Sequence, residues 1–201
     1  MMHPDEFYPK VHEIMALPAK DRHAGMTNLH TQAMNHYVNR LKTMTEAEAL
    51  TPVTVGDDHR TVLQIAGHIA EWERFIILSA SDMLIGLEHP RLMTSLDGYV
   101  ALDGSMPTFG SIDGFNAYFA EQQKTWSWDK MRAFAIETTT TVYEMFTNPM
   151  LLNAERIERT KIWRKRLNTG DIIPNIAVGW SVWLIALEHI ATEHVVELGL
   201  I

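Results

Sequence analysis

"LQIAGHIAEWERF", residues 63–75, is the stretch on which the fold turns. Read on to Ile77, its apolar positions Leu63, Ile65, Ala66, Ile69, Ala70, Trp72, Ile76 and Ile77 form an arc over more than half of a helix. Such an arc touches more than one neighbour. Thr61 stands three residues before Gln64, the spacing of a reciprocal capping box, so the helix is predicted to begin there and to run to about residue 80. His68 lies toward one edge of the arc. Glu71, about 60° further round, shares its face on the more polar side, whereas Glu73, about 140° away, falls among Ala66, Ile69 and Ala70. A carboxylate in that apolar setting calls for a partner on an adjacent helix.

Working outward, "GMTNLHTQAMNHYVNRLKTM" at 25–44 predicts a first long helix, with Leu29, Ala33, Tyr37 and Leu41 four apart, after a short leading segment at 6–16. "TEAEAL" at 45–50 opens with a second capping box, Thr45 to Glu48, and Pro52 closes it. "VTVGDDHR" at 53–60 is turn-rich. Residues 86–111 mix glycine and proline with Leu92, Tyr99, Val100 and Phe109, a long ordered connection that carries function or packs over a site. A helix is predicted from Ser111, a further piece recapped at Ser127 and running to about Phe146, and a short one at 152–160. After the break "LNTGDIIPN", the last long helix is expected over about 175–199, with strands such as "PTFGSI" as minor elements. Four principal helices with long connections and short extra helices predict an all-α four-helix bundle, one domain over 1–201.

The 201 residues can bury a core without staples. With no cysteine, disulfides, thiolate ligands, iron–sulfur clusters and cysteine nucleophiles are excluded. "MMHPDEFYPK" has no basic segment leading into an apolar run, so no secretory signal is expected. "IIPNIAVGWSVWLIAL" at 172–187 is broken by Pro174 and Asn175 and reads as a buried helix rather than a membrane span. A cytoplasmic setting without membrane partners is the expectation. The formal charge of −8 disfavours nucleic acid, and the basic run "RTKIWRKR" at 159–166 reads as a solvated face.

The last helix carries "WLIALEHIATEHVVEL". His189 and Glu193, four apart, can face the same way, as metal ligands do. His189 and His194, five apart, lie about 140° apart on an ideal α-helix, unless a π-bulge brings both imidazoles inward. The sequence leaves these alternatives open. Neutral imidazoles with a carboxylate suit zinc, nickel or ferrous iron, and such an ion would activate bound water or a bound thiol. Glu71 would then orient His68 or act as a general base.

"RTVLQIAGHIAEWERF" together with "HIATEHVVEL" resembles the DinB-like, DNA-damage-inducible superfamily of metal-binding four-helix bundles, which includes thiol transferases. The resemblance extends to helix order. It implies one metal-binding histidine in the second helix, falling on His68, and two more, four residues apart, in the last. Here the anchor is either His194, whose expected partner falls on Ile190 beside His189, or His189, which puts Glu193 in the other place. The chain thus departs from the usual three-histidine spacing. The resemblance further implies a divalent ion, zinc or nickel, a low-molecular-weight thiol as cosubstrate, and transfer of that thiol to an electrophile or hydrolysis of a small substrate. Trp72 or Tyr99 would lie against the substrate. Two other readings stand beside this one: a non-catalytic bundle that binds a small molecule or a partner protein through a degenerate metal site, and a homodimer built on aromatic-rich helices.

Overall fold

Both predicted capping boxes form. Gln64 donates its backbone N–H to Thr61 Oγ1 at 3.2 Å, and Gln64 Oε1 accepts the Thr61 N–H at 2.8 Å; Thr45 and Glu48 make the same exchange. Each satisfies two backbone donors that a helix start leaves unpaired. The computed structural model describes residues 3–54 and 59–200. Of the turn predicted at 53–60, residues 55–58 lie outside the described residues.

The elements are α1 (Pro4–Met15), α2 (Ala19–Thr43), α3 (Glu46–Leu50), α4 (Val62–Leu84), α5 (Ile112–Gln123), α6 (Trp128–Thr147), α7 (Ala154–Glu158), a hairpin of β1 (Ile162–Arg166) and β2 (Ile172–Ala177), and α8 (Val178–Glu188). α8 continues directly into a π-helical turn, His189–Glu193. Ser111 and Ser127 cap α5 and α6 as predicted. Helix α4 packs against α5, α6 and α8, and α6 packs against α2. Trp128, Trp180, Trp183 and Tyr37 are among the largest fully buried side chains of the main core.

A second, aromatic cluster of Trp72, Phe75, Tyr99, Phe115 and Phe119 joins α4 and α5 to the 86–111 connection. That connection contains two short 3-10 turns and is tied back to α4 by Arg91, whose Nη2 donates to Asp82 Oδ1 at 2.6 Å. Among the described residues no helix is long and apolar enough to cross a membrane.

The structure corrects two details. "PTFGSI" is not a strand, and the last helix begins at Val178, because 172–177 pairs antiparallel with 162–166. The all-α expectation thus holds for the helical body but not for this hairpin. Its register runs Trp163↔Ile176 and then Lys165↔Ile173, so β2 carries an extra residue at Pro174–Asn175. Pro174 cannot donate to a ladder and Asn175 takes φ 53°, a conformation asparagine tolerates, so the bulge sits where the sequence allows it.

Candidate active site

Helix α8, "VGWSVWLIALE", is buried on nearly every side, as a helix apolar all round must be. Its continuation changes pitch. In a π-helical turn the hydrogen bonds run from i to i+5 and the winding is wider, so residues five apart come nearer to one side than an α-helix would bring them. His189 and His194 therefore reach the same side.

There they meet His68 of α4. The ring centroids are 5.7 Å apart for His68 and His189, 5.2 Å for His68 and His194, and 6.3 Å for His189 and His194. An ion about 2 Å from three imidazole nitrogens lies about 3 Å from each ring centre and sets those centres about 5 to 6 Å apart. His68 lies within that range of both partners, whereas His189 and His194, at 6.3 Å, stand beyond it. Among the described residues no group of three His, Asp or Glu side chains is placed to hold a metal ion.

The three imidazoles differ in their partners. His194 has both ring nitrogens buried with no hydrogen-bond partner among the described residues, although Glu197 Oε1 stands 3.7 Å from Nδ1. His189 Nδ1 lies 2.8 Å from the Ile185 carbonyl and donates its proton to it. That Nε2 is 3.4 Å from Glu193 Oε2. Burial, then the neighbouring His189, His194 and Arg60, push the His68 pKa down to about 3, so it is a neutral imidazole at ordinary pH. His194 is lowered too, again chiefly by burial. Trp72 stacks on His189 at 5.9 Å and donates its indole N–H to Asn116 at 3.1 Å.

Glu193 stands at the edge of this cluster. Its Oε1 accepts from Asn168 Nδ2 at 2.6 Å in the turn of the hairpin. Glu188, at the other end of the π turn, accepts from Lys165 Nζ at 2.7 Å and from the Asn168 backbone N–H at 3.3 Å. The hairpin thus grips both ends of the wide turn.

Glu71 is buried rather than solvated. It accepts hydrogen bonds from the Tyr99 hydroxyl and from Gln123 Nε2, the latter at 2.8 Å, and Arg74 lies 3.8 Å away. Burial raises its pKa against the lowering effect of those partners. Gly67 makes this possible, because a Cβ there would collide with Gln123 and meet Met131 Cε at 2.8 Å. Glu73 finds the partners its position demanded: Thr138 Oγ1 donates at 2.8 Å, and Thr139 Oγ1 at 2.8 and 2.7 Å to its two oxygens.

His68 and Glu71 both line a cavity of about 450 Å³. Its walls come from the end of α3, the start of α4, and α5, not from the 86–111 connection. Tyr99 is fully buried and bonded to Glu71, and Trp72 stacks on His189; neither lines this cavity. Arg60, Asn116 and Gln123, which the sequence did not single out, do line the cavity. Ordinary polar residues in loops and helix ends carry no periodic signal that would have found them.

No family model matches the chain, and no curated protein matches it. Among solved structures it is similar to the crystal structure of a mutant of a mycothiol-dependent maleylpyruvate isomerase, with TM-score 0.56 and 12% identity over 99% of this chain. The chain spans 64% of that protein's length. At this identity the likeness is one of fold alone.

Proposed function

We propose that this chain is a metal-dependent enzyme of the DinB-like four-helix-bundle type, acting on a small electrophile with a low-molecular-weight thiol or with water. The observation that carries the reading is the meeting of His68, His189 and His194, with both nitrogens of His194 buried and without a hydrogen-bond partner among the described residues. The shared fold with a mycothiol-dependent enzyme supports the thiol. His68, His189 and His194 would hold the ion, zinc or nickel, with Glu193 at its edge. Such an ion would supply Lewis-acid activation of a thiol or water at neutral pH. The Ile185 carbonyl orients the His189 ring, Trp72 and the aromatic cluster exclude water from one side, and Glu71 in the cavity wall takes the role of proton acceptor.

Metal analysis of protein purified without an affinity tag, followed by titration of zinc or nickel into His68→Ala and His194→Ala, tests this. The parent should bind one ion per chain and each variant should lose it; unchanged stoichiometric binding in both overturns the reading. A second reading, a non-catalytic small-molecule binder with a degenerate site, is favoured by the finding that among the described residues no group of three side chains is placed to hold a metal ion. It predicts ligand-dependent thermal stabilisation without turnover after metal is supplied.

A further inference from the structure

The basic run that reads in sequence as a solvated face contains, in the fold, one strand of a two-stranded sheet. Only one edge of β1 is occupied by β2. At the ends of the pairing the Val178 N–H donates to the Lys161 carbonyl at 2.9 Å and the Leu167 N–H to the Asp171 carbonyl at 2.9 Å. Backbone direction alternates along a strand, so the odd-numbered residues of β1 turn their N–H and C=O groups toward β2. Ile162, Arg164 and Arg166 turn theirs away, and among the described residues no third strand takes them. Such a row of unpaired backbone donors and acceptors is a template for another strand.

The side chains alternate as well. On the inner face Lys165 pairs with Glu188 and stands opposite buried Ile173, while Trp163, opposite buried Ile176, remains 44% exposed. The outer face presents Arg164 and Arg166, both exposed. Among the described residues neither has a carboxylate, carbonyl or aromatic ring as partner, whereas Arg159 and Lys165 beside them are paired with Glu155 and Glu188. The two unpaired guanidinium groups lie two residues apart, about 7 Å along a strand. That is the spacing of carboxylates at alternate positions of an extended chain.

We infer that β1 takes up an extended acidic segment of another protein as a third strand, its carboxylates opposite Arg164 and Arg166 and its alternate, apolar side chains against Trp163. A second copy of β1 is a poor occupant, because antiparallel pairing through Arg164 sets like charges opposite one another. Nucleic acid is the weaker match: it offers no regular donors to the carbonyls of the edge, and the chain carries a formal charge of −8. A peptide strand satisfies both the backbone edge and the two cations.

Fluorescence anisotropy of a labelled heptapeptide alternating glutamate with valine, titrated with the full chain, tests the inference. The peptide should bind. The same residues arranged in two blocks, and the alternating peptide N-methylated at its glutamates, should each bind at least about tenfold more weakly. Arg164→Gln combined with Arg166→Gln, at exposed and unpaired positions, should retain the helical circular dichroism and weaken the alternating peptide by about tenfold or more. Absence of binding, equal binding of the block or N-methylated peptide, or unchanged binding in the double variant overturns the inference. So does tighter binding of a labelled oligothymidylate that the same double variant loses. No histidine of the cluster takes part, so this result and the metal titration stand or fall separately.

Discussion

His194 stands edge-on to His68, with ring planes at 90° and centroids 5.2 Å apart. This meeting depends on the π pitch of the turn between His189 and Glu193. Deletion of Ala191 would place the two late histidines four apart on an ordinary α-helix, still on one face. We expect that variant to keep metal binding. Insertion of one alanine after Ala191 should abolish it, with the helical circular dichroism of both variants retained. Loss in the deletion variant with retention in the insertion variant would show that helix pitch does not set the cluster.

The Tyr99 hydroxyl donates to Glu71 and accepts from Arg74 Nε at 3.0 Å. In Tyr99→Phe the carboxylate keeps Gln123 and loses its phenol, while Arg74 keeps the Val100 carbonyl at 3.0 Å. The expected cost is about 1 to 3 kcal/mol of stability in urea unfolding. The Glu71 pKa should rise further, visible as a shift of any activity profile to higher pH.

Glu73 is buried among Thr138, Thr139 and the unpaired Tyr37 hydroxyl, and burial lifts its pKa to about 8 against the lowering effect of the threonines. The folded chain therefore holds a proton that the unfolded chain releases above about 4.5. Stability from this group is complete below that value and falls by about 1.4 kcal/mol per pH unit until about pH 8. Glu73→Gln should flatten that slope and be more stable than the parent at about pH 8. Parallel unfolding curves for the two proteins from about pH 5 to about pH 8 would refute it.

His30 gives the opposite slope. Trp183 donates its indole N–H to His30 Nδ1 at 3.0 Å, and full burial lowers the His30 pKa to about 3. The unfolded chain gains a proton below about 6.5 that the folded chain refuses, so stability is lost as pH falls from there toward about 3. His30→Gln keeps an acceptor for Trp183 and removes this acid sensitivity, which thermal melts at about pH 5 and about pH 7 would show.

Much of the helical body was legible because its signals are local. Thr45–Glu48, Thr61–Gln64, Ser111 and Ser127 marked helix starts through side-chain chemistry within one turn. The hairpin was not. "IIPNIAVGWSVWLIAL" is apolar apart from Asn175 and Ser181, so periodicity cannot separate its first six residues, a strand, from the helix that follows, and "IWRKR" shows its charges before its pairing. The meeting of His68 with the last helix was an expectation of the sequence, whereas the joint position of His189 and His194 stood there only as the π-bulge alternative, since a 3.6-residue period separates residues five apart. Glu71 reads as solvated because the groups that cover it, Tyr99 and Gln123, come from distant segments.

The grip of β1 and β2 on Glu188 and Glu193 acts as an external splint. An under-wound turn held only by its own hydrogen bonds would relax toward ordinary pitch. Here the restoring strain is met from outside the helix. Changes of length or sequence at Asn168, which holds Glu188 and Glu193, would therefore retune the geometry of the cluster while leaving all its histidines in place.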